Sequence, residues 1–265
     1  MNFIALTIFP EMFIPFWEHG IIKRAIEQNK ICAAAINIRD YAQGRHRETD
    51  DRPYGGGSGM VMKPEPLTAA IRAAAEQAPS SRTILLTPQG RCFNQKVARE
   101  LASSEGLILV CGRYEGVDER ICHEFIDDEI SIGDYVLTGG ELAAMVIIDA
   151  VTRMIPGTLG GEDSAEKDSF SDGVLKHPQY TRPRVFEGME VPEVLLSGNH
   201  KEIEKWRLKT SLIRTFLKRK DLLKARHMSG PEIEILQKWC RDIEKLISDQ
   251  SLHSSDALPG DQQKR

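Results

Sequence analysis

The sequence predicts an α/β fold on a mostly parallel sheet, followed by a small helical C-terminal domain. Three observations predict it. Apolar runs of strand length alternate with helical periods up to about Met154, the pattern of a sheet covered by helices. Two of the runs break at a glycine and lead into a helix, as strand ends do in open α/β sheets. Beyond Pro183 the long periods are helical.

The first run, within Met1–Phe9, has no basic leader, stops at Pro10-Glu11 and lacks a small-residue cleavage site. It reads as a strand over Phe3–Ile8 and not as a signal peptide. Further strands are expected over Ala33–Ile38, Thr83–Leu86, Leu107–Val110 and Glu129–Ile132, with helices over Pro66–Ala78, Gln95–Ala102 and Gly140–Thr152. These make a first domain over residues 1–155. From 156 to 183 the chain turns to Gly, Ser, Asp, Glu, His and Pro, the composition of a flexible linker. Residues 184–247 form the helical domain: a short apolar run at Val191–Leu196, an amphipathic helix over Lys201–Leu217, and a helix over Pro231–Ile247 with proline at its start. The polar tail, 248–265, reads as disordered. No internal repeat is present.

At 265 residues and 41% hydrophobic content the chain can bury a core as one large domain or two small ones. No apolar stretch approaches the roughly 20 residues of a membrane span; Ala143–Val151 is bounded by Glu141 and Arg153. A cytoplasmic protein with no membrane partner is expected. The cysteines, Cys32, Cys92, Cys111, Cys122 and Cys240, show neither CxxC nor zinc spacing, so reduced thiols and no metal are expected. The net charge of −4 argues against nucleic acid only if charge is evenly spread. It is not. Between Lys201 and Arg226 lysines and arginines are opposed by only Glu202, Glu204 and Asp221, and a local positive surface binds phosphate whatever the overall sign.

The two glycine turns follow Leu107–Cys111, as Gly112-Arg-Tyr-Glu-Gly-Val-Asp-Glu-Arg120, and Ile130–Ile132, as Gly133-Asp-Tyr-Val-Leu-Thr-Gly-Gly-Glu141. Neither has P-loop chemistry or a GxGxxG run, which disfavours a phosphate-rich nucleotide. Backbone that can approach closely at Gly112, Gly133, Gly139 and Gly140, beside Tyr114, Tyr135, Ile132 and Leu137, suits a flat base with a short polar tail. Glu115 is then a partner for a cationic or hydroxylated group. Tight strand-to-helix turns with no ligand are the plain alternative.

In the linker stand Asp163, Glu166, Asp168 and Asp172, with Arg153 at the end of the preceding helix. A carboxylate near an arginine can accept a proton while the guanidinium stabilises charge developing on a carbonyl oxygen. The residue types alone do not choose among the four. Asp50-Asp51-Arg-Pro-Tyr-Gly-Gly-Gly-Ser-Gly59 reads either as backbone wrapping a substrate base or its phosphates, or as a connector. His46 has no ligand partner at metal spacing and reads as an exposed loop residue.

Asp51–Met60, Leu86-Thr-Pro-Gln-Gly90, the two glycine turns, Ile155-Pro-Gly157, Asp168-Ser-Phe170, His177-Pro-Gln-Tyr-Thr-Arg-Pro183 and Lys205-Trp-Arg-Leu-Lys209 resemble, in order, the motifs of the bacterial tRNA (guanine-N1)-methyltransferases. These belong to the SPOUT class of S-adenosylmethionine-dependent RNA methyltransferases. The resemblance extends to about Leu223. It implies a deep trefoil knot and an S-adenosylmethionine pocket lined by Leu85, Leu86, Thr87, Pro88, Gly112, Tyr114, Glu115, Ile132, Gly133, Tyr135, Leu137, Gly139 and Gly140. Ala143 departs from the proline of the family pattern. The resemblance also implies Asp168 as the base that takes the N1 proton of a guanine, assisted by Arg153, with Gly55, Gly57, Gly59, Ser169, Lys205, Arg207 and Lys209 contacting the substrate. The partner it implies is a tRNA with G immediately 3′ of the anticodon. It further implies a homodimer whose active site forms between subunits, and Mg²⁺, for which no carboxylate pair here marks a site. A SPOUT enzyme with another RNA target and a non-catalytic RNA-binding protein are the competing readings.

Overall fold

The computed structural model describes residues 1–160 and 168–255. The chain divides into two compact units, Met1–Ala165 and Glu166–Arg265. The first contains β1 (Asn2–Thr7), β2 (Cys32–Asn37), β3 (Asp50–Asp51), β4 (Val61–Met62), β5 (Ser81–Cys92), β6 (Gly106–Cys111) and β7 (Asp128–Ser131). Its helices are α1 (Ile14–Trp17), α2 (Gly20–Glu27), α3 (Pro64–Gln77), α4 (Gln95–Ala102), α5 (Glu119–Phe125) and α6 (Glu141–Thr152). The second contains a hairpin, β8 (Val185–Phe186) and β9 (Met189–Glu190), then α7 (Glu193–Leu196), α8 (His200–Lys218), α9 (Lys220–Lys224) and α10 (Gly230–Ser255).

Five strands form one sheet in the order β2-β1-β6-β5-β7, and every pairing in it is parallel. Both faces are covered, so the central strands are apolar on both sides and do not alternate with polar residues. On one face Phe3, Ala5, Leu107, Leu109, Ile84 and Leu86 pack with Ile22 and Ala25 of α2, Val97 and Leu101 of α4, and Ala144, Ile147, Ile148 and Val151 of α6. On the other, Ile4, Leu6, Ile108, Val110 and Leu85 meet Leu67, Ala70, Ile71 and Ala74 of α3 and Ile121 of α5. Each fully buried aliphatic side chain of this kind contributes roughly 1.5–3 kcal/mol. Asn94 starts α4 by accepting from the amides of Lys96 and Val97, and Asp118 starts α5 by accepting from that of Arg120.

β5 is longer than the strand read over Thr83–Leu86. Leu86 pairs with Ile130, and after a bulge Arg91 pairs with Ile130 again and Cys92 with Ser131. Thr87–Gly90 are thrown out of the ladder between these points. Pro88 has no amide to donate, which makes a bulge its natural place in a sheet.

In the second unit α8 and α10 meet through an edge-to-face contact of Phe216 with Trp239, ring centroids 5.6 Å apart. The residues read as linker, 156–183, are not uniform. Residues 161–167, and with them Asp163 and Glu166, lie outside the described residues. From Asp168 onward the segment is held to its unit: the Leu175 amide donates to Thr215 Oγ1 at 2.9 Å, and the Leu175 carbonyl accepts from Ser211 Oγ at 2.5 Å. Hydroxyls on the buried face of α8 thus take up backbone groups that a free loop leaves to water. The last helix also runs past Ile247, to Ser255, because no proline interrupts it before Pro259. Residues 256–265 lie outside the described residues. No described helix is long and apolar enough to cross a membrane.

Candidate active site

β6 and β7 flank β5 and run parallel to it, and the turns that follow their C-terminal ends are tied together. The Gly140 amide donates to the Gly112 carbonyl at 2.9 Å, and Arg113 bridges Gly139 in antiparallel fashion. Tyr114 adopts the left-handed conformation with φ +61°, uncommon for a residue with a side chain and a mark of a constrained turn. With the Thr87–Gly90 bulge these turns enclose a cavity of about 420 Å³, within the range of small-molecule sites. Every residue expected to line a cofactor pocket, from Leu85 to Gly140, lies in its wall.

The wall also includes residues not expected there: Gln89, Arg113, Val117, Glu119, Cys122, Val136 and Thr138. Ala143, the departure from the family pattern, lines it too. Leu85, Ile130 and Val117 give the wall apolar surface, and Glu115 and Glu119 give it negative charge. This suits a ligand with a flat apolar part and a cationic or hydroxylated part. Cys111, just before the first turn, is fully buried; burial and the neighbouring Glu141 carboxylate push its thiol well above the usual range, which keeps it neutral.

Gly59 comes to the rim of this cavity, where a Cβ would overlap the Glu115 side chain. The Glu115 amide donates to the Met60 carbonyl at 3.0 Å and that of Met62 to Gly116 at 2.9 Å, so the end of the glycine segment is stitched to the first turn. Gly55 and Gly57 stand in open space, next to a fully exposed Tyr54. His46 is exposed, as read from the sequence.

Below the turns lies a buried ion pair. Glu141, 1% exposed, accepts from Thr7 Oγ1 at 2.6 Å and from Arg113 Nε at 3.1 Å, with Arg113 Nη2 ion-paired to it at 2.9 Å. The guanidinium lies 4.5 Å from the centre of the Phe9 ring. Sequence reading missed this group because its members are far apart in the chain. The available signal was a single glutamate opening an otherwise apolar helix, Glu141-Leu-Ala-Ala-Met-Val-Ile-Ile148.

Arg153 closes α6, its amide donating to the Asp149 carbonyl at 3.1 Å. In the second unit, Asp168 Oδ1 is ion-paired with Lys176 Nζ at 2.9 Å, and Ser169 Oγ accepts from the Lys176 amide at 3.0 Å. Phe170 holds φ +73° and donates its amide to the Val174 carbonyl at 2.8 Å, closing the motif into a compact turn under the Arg219 guanidinium. Asp172 is exposed. On α8, Lys205 and Lys209 are exposed, while Arg207 Nη1 pairs with Glu204 at 2.6 Å. Trp206 between them packs near Tyr180 and His177. Among the described residues no group of three His, Cys, Asp or Glu side chains gathers as for a metal.

Comparison with known proteins joins these features. The family profile described as tRNA (Guanine-1)-methyltransferase TrmD matches residues 1–225. The protein named tRNA (guanine-N(1)-)-methyltransferase of Desulfatibacillum aliphaticivorans is 57% identical over 258 residues, 97% of this chain and 98% of its own. The protein of that name from Geotalea uraniireducens is 58% identical over 241 residues, 91% of this chain and 98% of its own. That from Carboxydothermus hydrogenoformans is 55% identical over 249 residues, 94% and 98% of the two chains. Two glycine turns closing one cavity, in a chain matched this far along its length, show that it belongs to the tRNA (guanine-1)-methyltransferase family.

Proposed function

We propose that this protein transfers a methyl group from S-adenosylmethionine to N1 of the guanine immediately 3′ of a tRNA anticodon, acting in the cytoplasm as a homodimer. The observation that carries the reading is the convergence of both glycine turns and the Thr87–Gly90 bulge on one cavity. Its apolar wall residues suit a purine. The carboxylates in its wall suit a ribose hydroxyl or the positive charge of an amino-acid tail. The cofactor supplies an already activated methyl on its sulfonium, so the protein has to orient and to move a proton.

In this reading the Asp168 carboxylate takes the N1 proton as the N1 electron pair bonds to the methyl carbon and the sulfur–carbon bond breaks. Arg153 stabilises the charge that builds on O6. Lys176, at 2.9 Å from Asp168, orients the carboxylate within its turn. Gly55, Gly57, Gly59 and Ser169 surround the target base, which has to leave its stack to be reached. Lys205, Arg207 and Lys209 follow tRNA phosphates, a salt-dependent contribution. Leu142 and Val146 on α6 are half exposed and Val136 is 88% exposed; apolar surface of this kind supports a two-fold interface in the first unit. The trefoil knot of the SPOUT class belongs to the same proposal. No step is routed through Mg²⁺, since the described residues offer no cluster that fits it.

The test is transfer of a labelled methyl group to an unmodified tRNA transcript with G at that position and to one with A, with and without Mg²⁺. Label is expected on the G transcript only, reduced about 10²–10⁴-fold in Asp168→Ala, the range of a lost general base. Label on both transcripts would point to another RNA position. No label with intact tRNA binding would establish the RNA-binding reading instead.

A further inference from the structure

A carboxylate as buried as Glu141 survives in a protein only with partners that compensate its charge. The group draws on three places in the first unit. Thr7 stands at the end of β1, Arg113 in the first glycine turn, and Glu141 itself at the first position of α6, directly after Gly139 and Gly140. Arg113 Nε donates to both carboxylate oxygens at 3.1 Å and Nη2 approaches Oε2 at 2.9 Å. This is a forked, charge-assisted contact with one fixed geometry. Thr7 Oγ1 also accepts from the Phe9 amide at 2.9 Å, which anchors the hydroxyl that donates to Glu141. The guanidinium is sandwiched between that carboxylate and the Phe9 ring.

Arg113, Gly139 and Gly140 line the cavity, whereas Glu141 and Thr7 do not. We infer that Glu141 is a positioning residue: acting through Arg113, it locks the first glycine turn against the second and so sets the shape of the ligand cavity. The backbone tie between the turns is the Gly140–Gly112 hydrogen bond, which forms part of the Arg113–Gly139 bridge. The ion pair clamps them from beneath. The inference rests on the proposed function for the identity of the ligand and not for the clamp itself.

The test uses the full chain with Glu141→Gln, which keeps the volume and one acceptor but removes the charge, and Thr7→Val, which removes the donor to Glu141 together with the acceptor of the Phe9 amide. Amide hydrogen exchange over residues 112–116 and 133–140 is compared with that of β1 and β6. Binding of S-adenosylhomocysteine is measured by calorimetry, and KM for S-adenosylmethionine and kcat by methyl transfer. In Glu141→Gln, exchange in both turns is expected to quicken about tenfold, and Kd and KM to rise about tenfold, the loss of one charge-assisted contact. The β1 and β6 amides and kcat are expected to stay within about threefold, a split that general loss of stability does not produce. Thr7→Val is expected to give about threefold changes in the same direction, and it decides the matter if Glu141→Gln does not fold. Unchanged exchange in the two turns, or equal loss of protection across the sheet, overturns the inference. If the parent chain does not bind S-adenosylhomocysteine, the proposed function fails, and the exchange data still decide on the clamp.

Discussion

The two glycine-rich regions of the first unit use the same residue for opposite reasons. At Gly140 a Cβ would lie 2.7 Å from Cys111 Cα and 3.1 Å from the Gly112 nitrogen. Its φ of −78° is open to any residue, so the demand there is for space alone. At Gly56, φ is +78° and nothing lies within 4 Å of where a Cβ would be. Here the demand is for a backbone turn that side chains rarely make, and space is free. Close approach builds a cavity of one shape, whereas conformational freedom on an open loop leaves a surface that can adapt to what arrives.

The widest separation between the two is expected from Gly140→Ala. Its new methyl group meets backbone at Cys111, which cannot swing aside as a side chain does. Overpacking of this kind costs roughly 1–3 kcal/mol of stability, and prising the turns apart is expected to weaken S-adenosylhomocysteine binding by about 100-fold, more than loss of one contact. Thermal unfolding and calorimetry on the same preparation measure both. Parent-like binding in Gly140→Ala would break the comparison, since it would show that the turns are as adaptable as the open loop.

How much of this was legible in the sequence depends on how local each cause is. The sheet strands and the helices covering them announce themselves through short-range pattern: Phe3–Ile8 and Leu107–Val110 were read within a residue or two of β1 and β6. The cavity residues were legible through the turn motifs and the family they resemble. The bulge of β5 was not, because Leu86 and Arg91 share the partner Ile130 only once β7 is in place. Glu141 and Thr7, 134 positions apart, meet only after β1 and β6 pair. The anchoring of Leu175 was hidden for a like reason: Ser211 and Thr215 read as polar positions of a helix, and only the packed unit shows them turned inward to receive backbone. Composition gives residues 168–183 the look of a loop, yet it does not say whether a loop's backbone is taken up by neighbouring side chains, as that of Leu175 is.

A smaller effect sharpens the comparison at the seam between the regions. Gly59 has φ +92° and its Cβ would meet the Glu115 carboxylate, the tip of a side chain that can move. Gly59→Ala is expected to lose about 1–3 kcal/mol of stability through backbone strain. By displacing Glu115 within the cavity wall it is also expected to raise Kd for S-adenosylhomocysteine about fivefold, the scale of one modest polar contact. Gly56→Ala carries similar strain and no such neighbour. Its affinity is expected to match the parent, and a drop as large as that of Gly59→Ala would mean that the open loop is part of the cofactor pocket.

The smallest effect is a difference in thiol reactivity between the buried end of β6 and the cavity wall. The Cys111 thiol is buried and pushed up by that burial and by Glu141, so it stays protonated and out of reach. The Cys122 thiol lines the cavity; partial burial, with Glu119 and Glu129 nearby, raises it more moderately. Since the thiolate is the nucleophile, a raised value means a smaller reactive fraction at pH 8 and a rate that keeps climbing as pH increases beyond the range of an ordinary thiol. Iodoacetamide is therefore expected to modify the exposed Cys32, Cys92 and Cys240 first, then Cys122 slowly, and Cys111 not at all while the chain is folded. S-adenosylhomocysteine is expected to slow labelling of Cys122 alone. Gly140→Ala, which presses on the Cys111 backbone, is expected to make Cys111 reactive. Peptide mass mapping reads every site at once, and labelling of Cys111 in the parent at the pace of Cys122 would show the end of β6 to be no more closed than the cavity wall.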